Sequence, residues 1–395
     1  MFSELFRKSS LVRPARAIRF LTTLTILPTL GLAVFASAQD KHESMLHDFE
    51  VSVIAEGLNT PWGMNWLPNG DLLVTERPGR LRVVRNGMLQ AAAVEGVPAV
   101  HAVNQGGLFD VLPHPEFASN RLLYLSFAAP MGNNSNTTVV RGRFENDRLS
   151  DVETIFQADT QGRDGHYGAR MVFDNDGYLF LTIGDRQAAP RGDLPTHPAQ
   201  DLSNHNGVLI RLHDDGRVPR DNPFVDERGA MPEVWSYGHR NGQGLALHPI
   251  TGDLWENEHG PQGGDELNLI RPGANYGWPV IGYGVNYGVG LPIHNSQSLD
   301  GMEQPEHYWV PSIAVSGLMI YDGELFPGWH GDAFIGGLRG QQVARIDLDE
   351  DGKQVVMEET LLNGIGRVRD IRQGPDDAIY VATENLGILR LTPSN

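Results

Sequence analysis

Apolar residues recur along this chain at every second position in short runs, and almost nowhere at the 3.6-residue spacing of an amphipathic helix. That pattern predicts an all-β fold. Within it a cassette repeats: an apolar strand, a turn of Pro, Asp, Asn and Gly, then a second apolar strand ending near an acid. The clearest copies are MNWLPNGDLLVTE (64–76), MVFDNDGYLFLTIGD (171–185), LALHPITGDLWENE (245–258) and IRQGPDDAIYVATE (371–384). FDVLPHPEFASNRLLYLSF (109–127) and LMIYDGELFPGWHGDAFIGG (318–337) are looser copies with longer connections.

One hairpin cannot bury its own apolar face and must stack on neighbours around a closed ring. Six cassettes therefore predict a six-bladed β-propeller of four-stranded antiparallel blades. A double β-sandwich is the competing arrangement, because strand runs alone do not dictate closure. Insertions after Gly184 and Gly277 lengthen blades three and four. Long insertions in such folds tend to shape a site.

Residues 1–38 differ from the rest. Arg7, Lys8, Arg13, Arg16 and Arg19 lead into the apolar run Phe20 to Phe35, and Ala36-Ser37-Ala38 ends it. This has the form of a cleaved secretory signal peptide. At about 16 residues, broken by threonines and Pro28, the run is short of the roughly 20 needed to span a bilayer. The expected product is residues 39–395, a single periplasmic or secreted domain with no stable membrane insertion. The whole chain carries a formal charge of −18, and loss of the basic leader makes it more acidic. Such a surface repels nucleic acid. Absence of cysteine excludes a disulfide scaffold or a lipoprotein.

Four constellations have chemical potential. His166 lies in a glycine-rich turn just ahead of the third cassette, where a propeller turn opens on the central channel; its near-neutral pKa suits general-base work, although loop histidines are commonly structural. Arg240 and Asn241 precede the fourth cassette in the same way, and an arginine in an open turn can fork onto a planar carboxylate or carbonyl. The stretch ENEHGPQGGDELNLIRPGANYGWP (256–279) offers carboxylates and loop carbonyls to a hard cation such as calcium, or is a plain acidic loop. Arg339, Arg367 and Arg369 add positive charge to the late blades, which in an acidic protein points to a multiply anionic ligand. The chain has no G-x-S-x-G elbow and no G-x-G-x-x-G between strand and helix.

From TPWGMNWLPNGDLLVTER through NQGGLFDVLPHPEF, GHYGARMVF, LTIGDR, GHRNGQGLA, EHGPQGGDELNLI, NYGWP and RVRDI, the sequence resembles the soluble sugar dehydrogenases that use pyrroloquinoline quinone (PQQ), on their aldose branch. The resemblance implies a propeller binding PQQ over its channel beside calcium (Ca2+). It implies His166 as general base, and Gln105, Arg240, Asn241, Arg339, Arg367 and Arg369 as cofactor-binding residues. Arg339 stands where the family has lysine or another polar residue. For the metal it implies Gly260 and Pro261, whose carbonyls match the catalytic loop of the glucose enzymes, with Glu266 and Tyr276 at aldose-branch ligand positions. Gly165 replaces an acid that helps the glucose enzymes grip their sugar, and their long loops are shorter here, so the expected substrates are a broad range of aldoses. The expected protein is a monomer or weak dimer passing electrons to an unidentified acceptor. A calcium-dependent propeller hydrolase of lactonase type and a non-catalytic sugar-binding propeller are the alternative readings.

Overall fold

The computed structural model describes residues 40–132 and 134–394, so the expected leader and its cleavage site lie outside the described residues. Six antiparallel sheets form, five of four strands and one of five. Each expected cassette is the inner hairpin of one sheet. The inner strands Pro61–Trp66, Leu108–Pro113, Met171–Phe173, Gly242–Leu247, Val315–Ile320 and Val368–Gln373 each touch the next, and the last touches the first. The ring is closed, as the propeller reading expects and a double sandwich does not.

Closure uses both ends of the described chain. Blade six consists of Val368–Gln373, Ile379–Thr383 and Gly387–Pro393, and its fourth strand is Phe49–Ala55 from the other end, paired Val51 to Leu391. Asp40–His42 adds a fifth strand outside it.

Stability resides between blades. A separate apolar cluster fills each of the six interfaces. In the strand Leu72–Glu76, Leu72 and Val74 pack toward blade six while Leu73 packs toward blade two. Alternate residues of a strand point to opposite faces, and here both faces are covered, which accounts for the continuous apolar runs LLV, LFL and IYV in the second strands. Edge strands show the one-sided pattern instead, as Arg148–Gln157 does.

The two insertions reach the same place by different routes. Residues 184–207 leave blade three at the end where Ile183 pairs with Val208. Residues 271–306 leave blade four after Ile270, at the opposite end, and climb back along blade three, where Asn275 bridges Tyr237 and the Trp278 N–H donates to Gly238 O at 2.7 Å. Gln200 and Asn275 then exchange amide hydrogen bonds of 2.7 and 3.1 Å, tying one insertion to the other.

Truncating a fully buried interface residue costs about 2–5 kcal/mol. Leu389→Ala, in the apolar cluster between blades five and six, is expected to lower the free energy of urea unfolding by that amount. Val356→Ala, at an exposed position of blade five, is expected to change it by less than about 0.5 kcal/mol.

Candidate active site

At the centre of the ring a single guanidinium gathers the blades. Arg170, buried at the start of blade three's inner strand, places Nη1 3.3 Å from Asp110 of blade two and 3.2 Å from Asp370 of blade six. Its Nε donates to Gln243 O of blade four at 2.9 Å, and its plane lies 4.4 Å from the Trp62 ring of blade one. Blade five joins through Gly317, where a Cβ would fall 2.4 Å from the Asp370 carboxylate. Burial raises the Asp110 carboxyl, while Arg170 and Arg372 pull it back toward the charged form. Charges this deep persist only when paired.

Above this clasp the turns that enter the inner strands surround a cavity of about 400 Å³. Thr60, Gln105, Asn241, Arg367 and Arg369 line it, with Arg77 from blade one. Trp62, Phe109 and Tyr167 form an aromatic wall, their neighbouring rings 5.3 and 5.4 Å apart. Gln105 also borders a second cavity of about 430 Å³, which contains His166, Asp185, Arg240 and Trp278 and lies beneath both insertions.

In four blades the acid that ends the cassette holds the turn entering the same blade. Glu76 accepts from the Asn59 N–H at 2.6 Å, and Glu258 accepts from the backbone N–H groups of Arg240 and Asn241. Glu384 pairs with Arg367 at 2.8 Å and Arg369 at 3.1 Å. Asp185 takes the His166 Nδ1–H at 2.6 Å. The other Asp185 oxygen accepts from Trp278 Nε1–H at 2.8 Å, which anchors the second insertion to the histidine.

His166 is left-handed, with φ of 48°, and its turn is gripped from several sides. Its N–H donates to Gln105 Oε1 at 2.8 Å, and the Gly168 N–H donates to Asn241 Oδ1 at 3.1 Å. Buried Arg186 donates to Gly165 O, Arg163 O and Ser135 O and stacks on Tyr167 at 4.1 Å. Gly168, with φ of 65°, lets this turn press on the next strand, since a Cβ there would lie 2.6 Å from Thr182 O. At Gly168 the glycine is thus required by the protein's own backbone. Burial, and then the Arg240 charge, lower the His166 pKa against the opposing pull of Asp185. A neutral ring with Nδ1–H spent on Asp185 presents a basic Nε2 to the cavity. Burial alone would raise Asp185, but His166 and Arg240 outweigh it and keep it ionised.

The remaining expected residues divide. Arg240 donates to His259 O at 2.9 Å and to Gly260 O at 2.7 Å, so the guanidinium already engages one of the carbonyls expected to bind metal. Gly260, Pro261, Glu266 and Tyr276 do come together, with Glu258, around a small void of about 20 Å³. The protein packed around Glu266 raises its carboxyl well above the usual range, and Glu258 pushes the same way. The Tyr276 hydroxyl is occupied by Leu269 O and the Arg271 N–H, leaving its carbonyl as the oxygen it can offer a cation. Arg339 is exposed and lines neither cavity; its neighbour Leu338 lines the first one instead. Beneath the small void, His239, Glu256 and Glu258 cluster within 4.8 Å. There His239 bonds both Glu258 and Ser236, at 3.1 and 2.8 Å.

The donor chemistry fits both implied groups. Arg240 Nε and Arg369 Nε are buried without a protein acceptor among the described residues, as expected of guanidinium groups that complete their bonding on a carboxylate or carbonyl ligand. The void offers two carboxylates and backbone carbonyls, the oxygen set of a hard cation.

The glucose/sorbosone dehydrogenase family model matches residues 58–390. The aldose sugar dehydrogenase of Escherichia coli (strain K12) is 41% identical over 87% of this chain and 93% of its own. A glucose dehydrogenase of known crystal structure is 44% identical and superposes with a TM-score of 0.81 over 87% of this chain and 99% of its own. The PQQ-bound aldose sugar dehydrogenase of Streptomyces coelicolor is 28% identical, with a TM-score of 0.72 over 88% of this chain and 98% of its own.

Removing one partner from a buried ion cluster costs about 3–5 kcal/mol. Arg170→Met is expected to lose that much stability in urea unfolding monitored by tryptophan fluorescence, because Arg372 alone remains to face Asp110 and Asp370.

Proposed function

Because this chain belongs to the glucose/sorbosone dehydrogenase family and is an oxidoreductase acting on sugars, we propose that it is a PQQ- and calcium-dependent aldose dehydrogenase that oxidises the anomeric hydroxyl to a lactone. The observation that carries this reading is a neutral, buried His166 oriented by Asp185 beside a cavity whose arginines include unpartnered buried N–H groups. PQQ is a planar tricarboxylate, and Arg367, Arg369, Gln105, Asn241 and Arg240 would hold it. Gly260, Pro261, Glu266 and Tyr276 would hold calcium. When bound, PQQ supplies the oxidant for the anomeric C–H bond, with calcium as the Lewis acid that polarises it.

The chain's own part is proton handling and placement. His166 Nε2 takes the proton of the anomeric hydroxyl as the bond to carbon gains double-bond character. Asp185 stabilises the imidazolium that results and fixes the tautomer. Trp278 keeps Asp185 in line, and Gln105 and Asn241 set the ring's position through the backbone of its turn. Burial, aided by the Arg240 charge, lowers the proton affinity of His166 and favours the neutral ring before substrate arrives. The small-molecule substrate is a sugar, and periplasmic residence fits the expected leader. No helix among the described residues is long and apolar enough to cross a membrane.

Reconstitution of the apoprotein with PQQ and calcium, followed by aldoses and an artificial electron-accepting dye, tests the proposal. Dye reduction requiring both additions is expected; no reduction with any aldose would overturn it. His166→Gln is expected to retain PQQ, seen in its visible spectrum, and to lose about two to four orders of magnitude in rate. The acid limb of kcat/KM is expected below pH 6.5, since the folded protein holds His166 below its ordinary pKa. Asp185→Asn removes the charge that opposes this shift, so the limb should move further down as the rate falls.

A further inference from the structure

Beside the base, the polar side chain of Gln187 lines the second cavity and has no role in the mechanism above. Gln187 follows Asp185 and Arg186 in a tight turn, and both Arg186 and Gln187 are left-handed, with φ of 56° and 57°. Its N–H donates to Asp185 Oδ1 at 2.8 Å, the oxygen atom that also holds His166. One carboxylate oxygen therefore fixes both the base and the backbone of Gln187. The side chain turns back onto Gly165, the residue immediately before His166. A Cβ at Gly165 would lie 2.4 Å from Gln187 Cδ, 2.5 Å from Nε2 and 2.7 Å from Oε1, so the whole carboxamide rests on the glycine. Among the described residues it makes no side-chain hydrogen bond, although it lines the same cavity as His166, with Trp278 and Tyr287 contributing aromatic surface.

A carboxamide offers a donor and an acceptor at once, and a sugar hydroxyl is both as well. The carboxamide rests on the residue that immediately precedes the base and lines the same cavity as His166, where it can meet a hydroxyl close to the one that His166 deprotonates. We propose that Gln187 is the specificity-determining residue of the sugar site, reading the hydroxyl next to the anomeric one without charge. This inference rests on the aldose dehydrogenase reading. Gly165 serves it by leaving room: its φ is not in the left-handed region, so alanine fits the backbone there and only the carboxamide must move.

The test measures kcat/KM of the reconstituted enzyme for glucose and 2-deoxyglucose in four proteins: the parent, Gln187→Ala, Gly165→Ala and the double variant. Gln187→Ala is expected to lower the glucose value about 3- to 10-fold, the worth of one neutral hydrogen bond, mainly through KM, and to leave 2-deoxyglucose within about 2-fold. Gly165→Ala should reproduce that pattern by displacing the carboxamide. The double variant should be no worse than Gln187→Ala, because the methyl then enters vacated space. Equal losses on both sugars, no loss on glucose, or additive losses in the double variant would overturn the inference while leaving the dehydrogenase reading intact. Failure of the parent to oxidise any aldose would overturn both.

Discussion

A propeller has a problem at its axis: six inner strands converge there, and whatever fills the space must satisfy all of them. Here the buried Arg170 charge makes direct or carboxylate-mediated contact with every blade. Asp110 and Asp370 in turn accept the N–H groups of Met171 and Met64, each 2.9 Å away. The charge cluster therefore sets where the inner strands begin. The turns that carry Gln105, His166, Arg240, Asn241 and Arg367 lead into those strands, so the geometry of the cavity above is inherited from the ion cluster below.

The second layer of control is the acid at the cassette's end. Glu76, Asp185, Glu258 and Glu384 occupy one structural position in four blades, yet they do different work. Glu258 fixes backbone, Glu384 neutralises two arginines, and Asp185 tunes an imidazole. One position of the repeat thus serves a different purpose in each of these blades. The candidate site lies on the side where blades three and four are lengthened.

The fold was largely legible because hairpin periodicity is local: each cassette declares its strands and its turn within twenty residues. The gathering of His166, Arg240, Asn241, Arg367 and Arg369 around adjoining cavities followed from their shared position ahead of a cassette, whereas Gln105 was expected only from the family resemblance. The terminal acids were visible as part of the repeat, but their partnership with those turns was not, since it depends on hairpin register. Trp278 was hidden for another reason. It lies 93 residues from Asp185, on an insertion whose starting end gives no hint that it doubles back. Arg339 shows the converse: it occupies a resembling motif, but in the turn after Ala333–Gly337 Leu338 faces the cavity and the arginine is exposed. Arg170 stood inside a quoted motif as well, yet nothing local marks an arginine as the axis of a ring.

The strand Phe49–Ala55 completes a blade whose other strands are made last. During synthesis or passage through a narrow opening, the early segment must wait, its apolar face uncovered, until residue 393 has emerged on the same side. Until then blade six, which carries Arg367, Arg369 and Glu384, is incomplete and the ring is open. Completion of the cavity is thereby postponed to the end of assembly. A truncated or half-delivered chain would lack the closed ring from which that cavity is built.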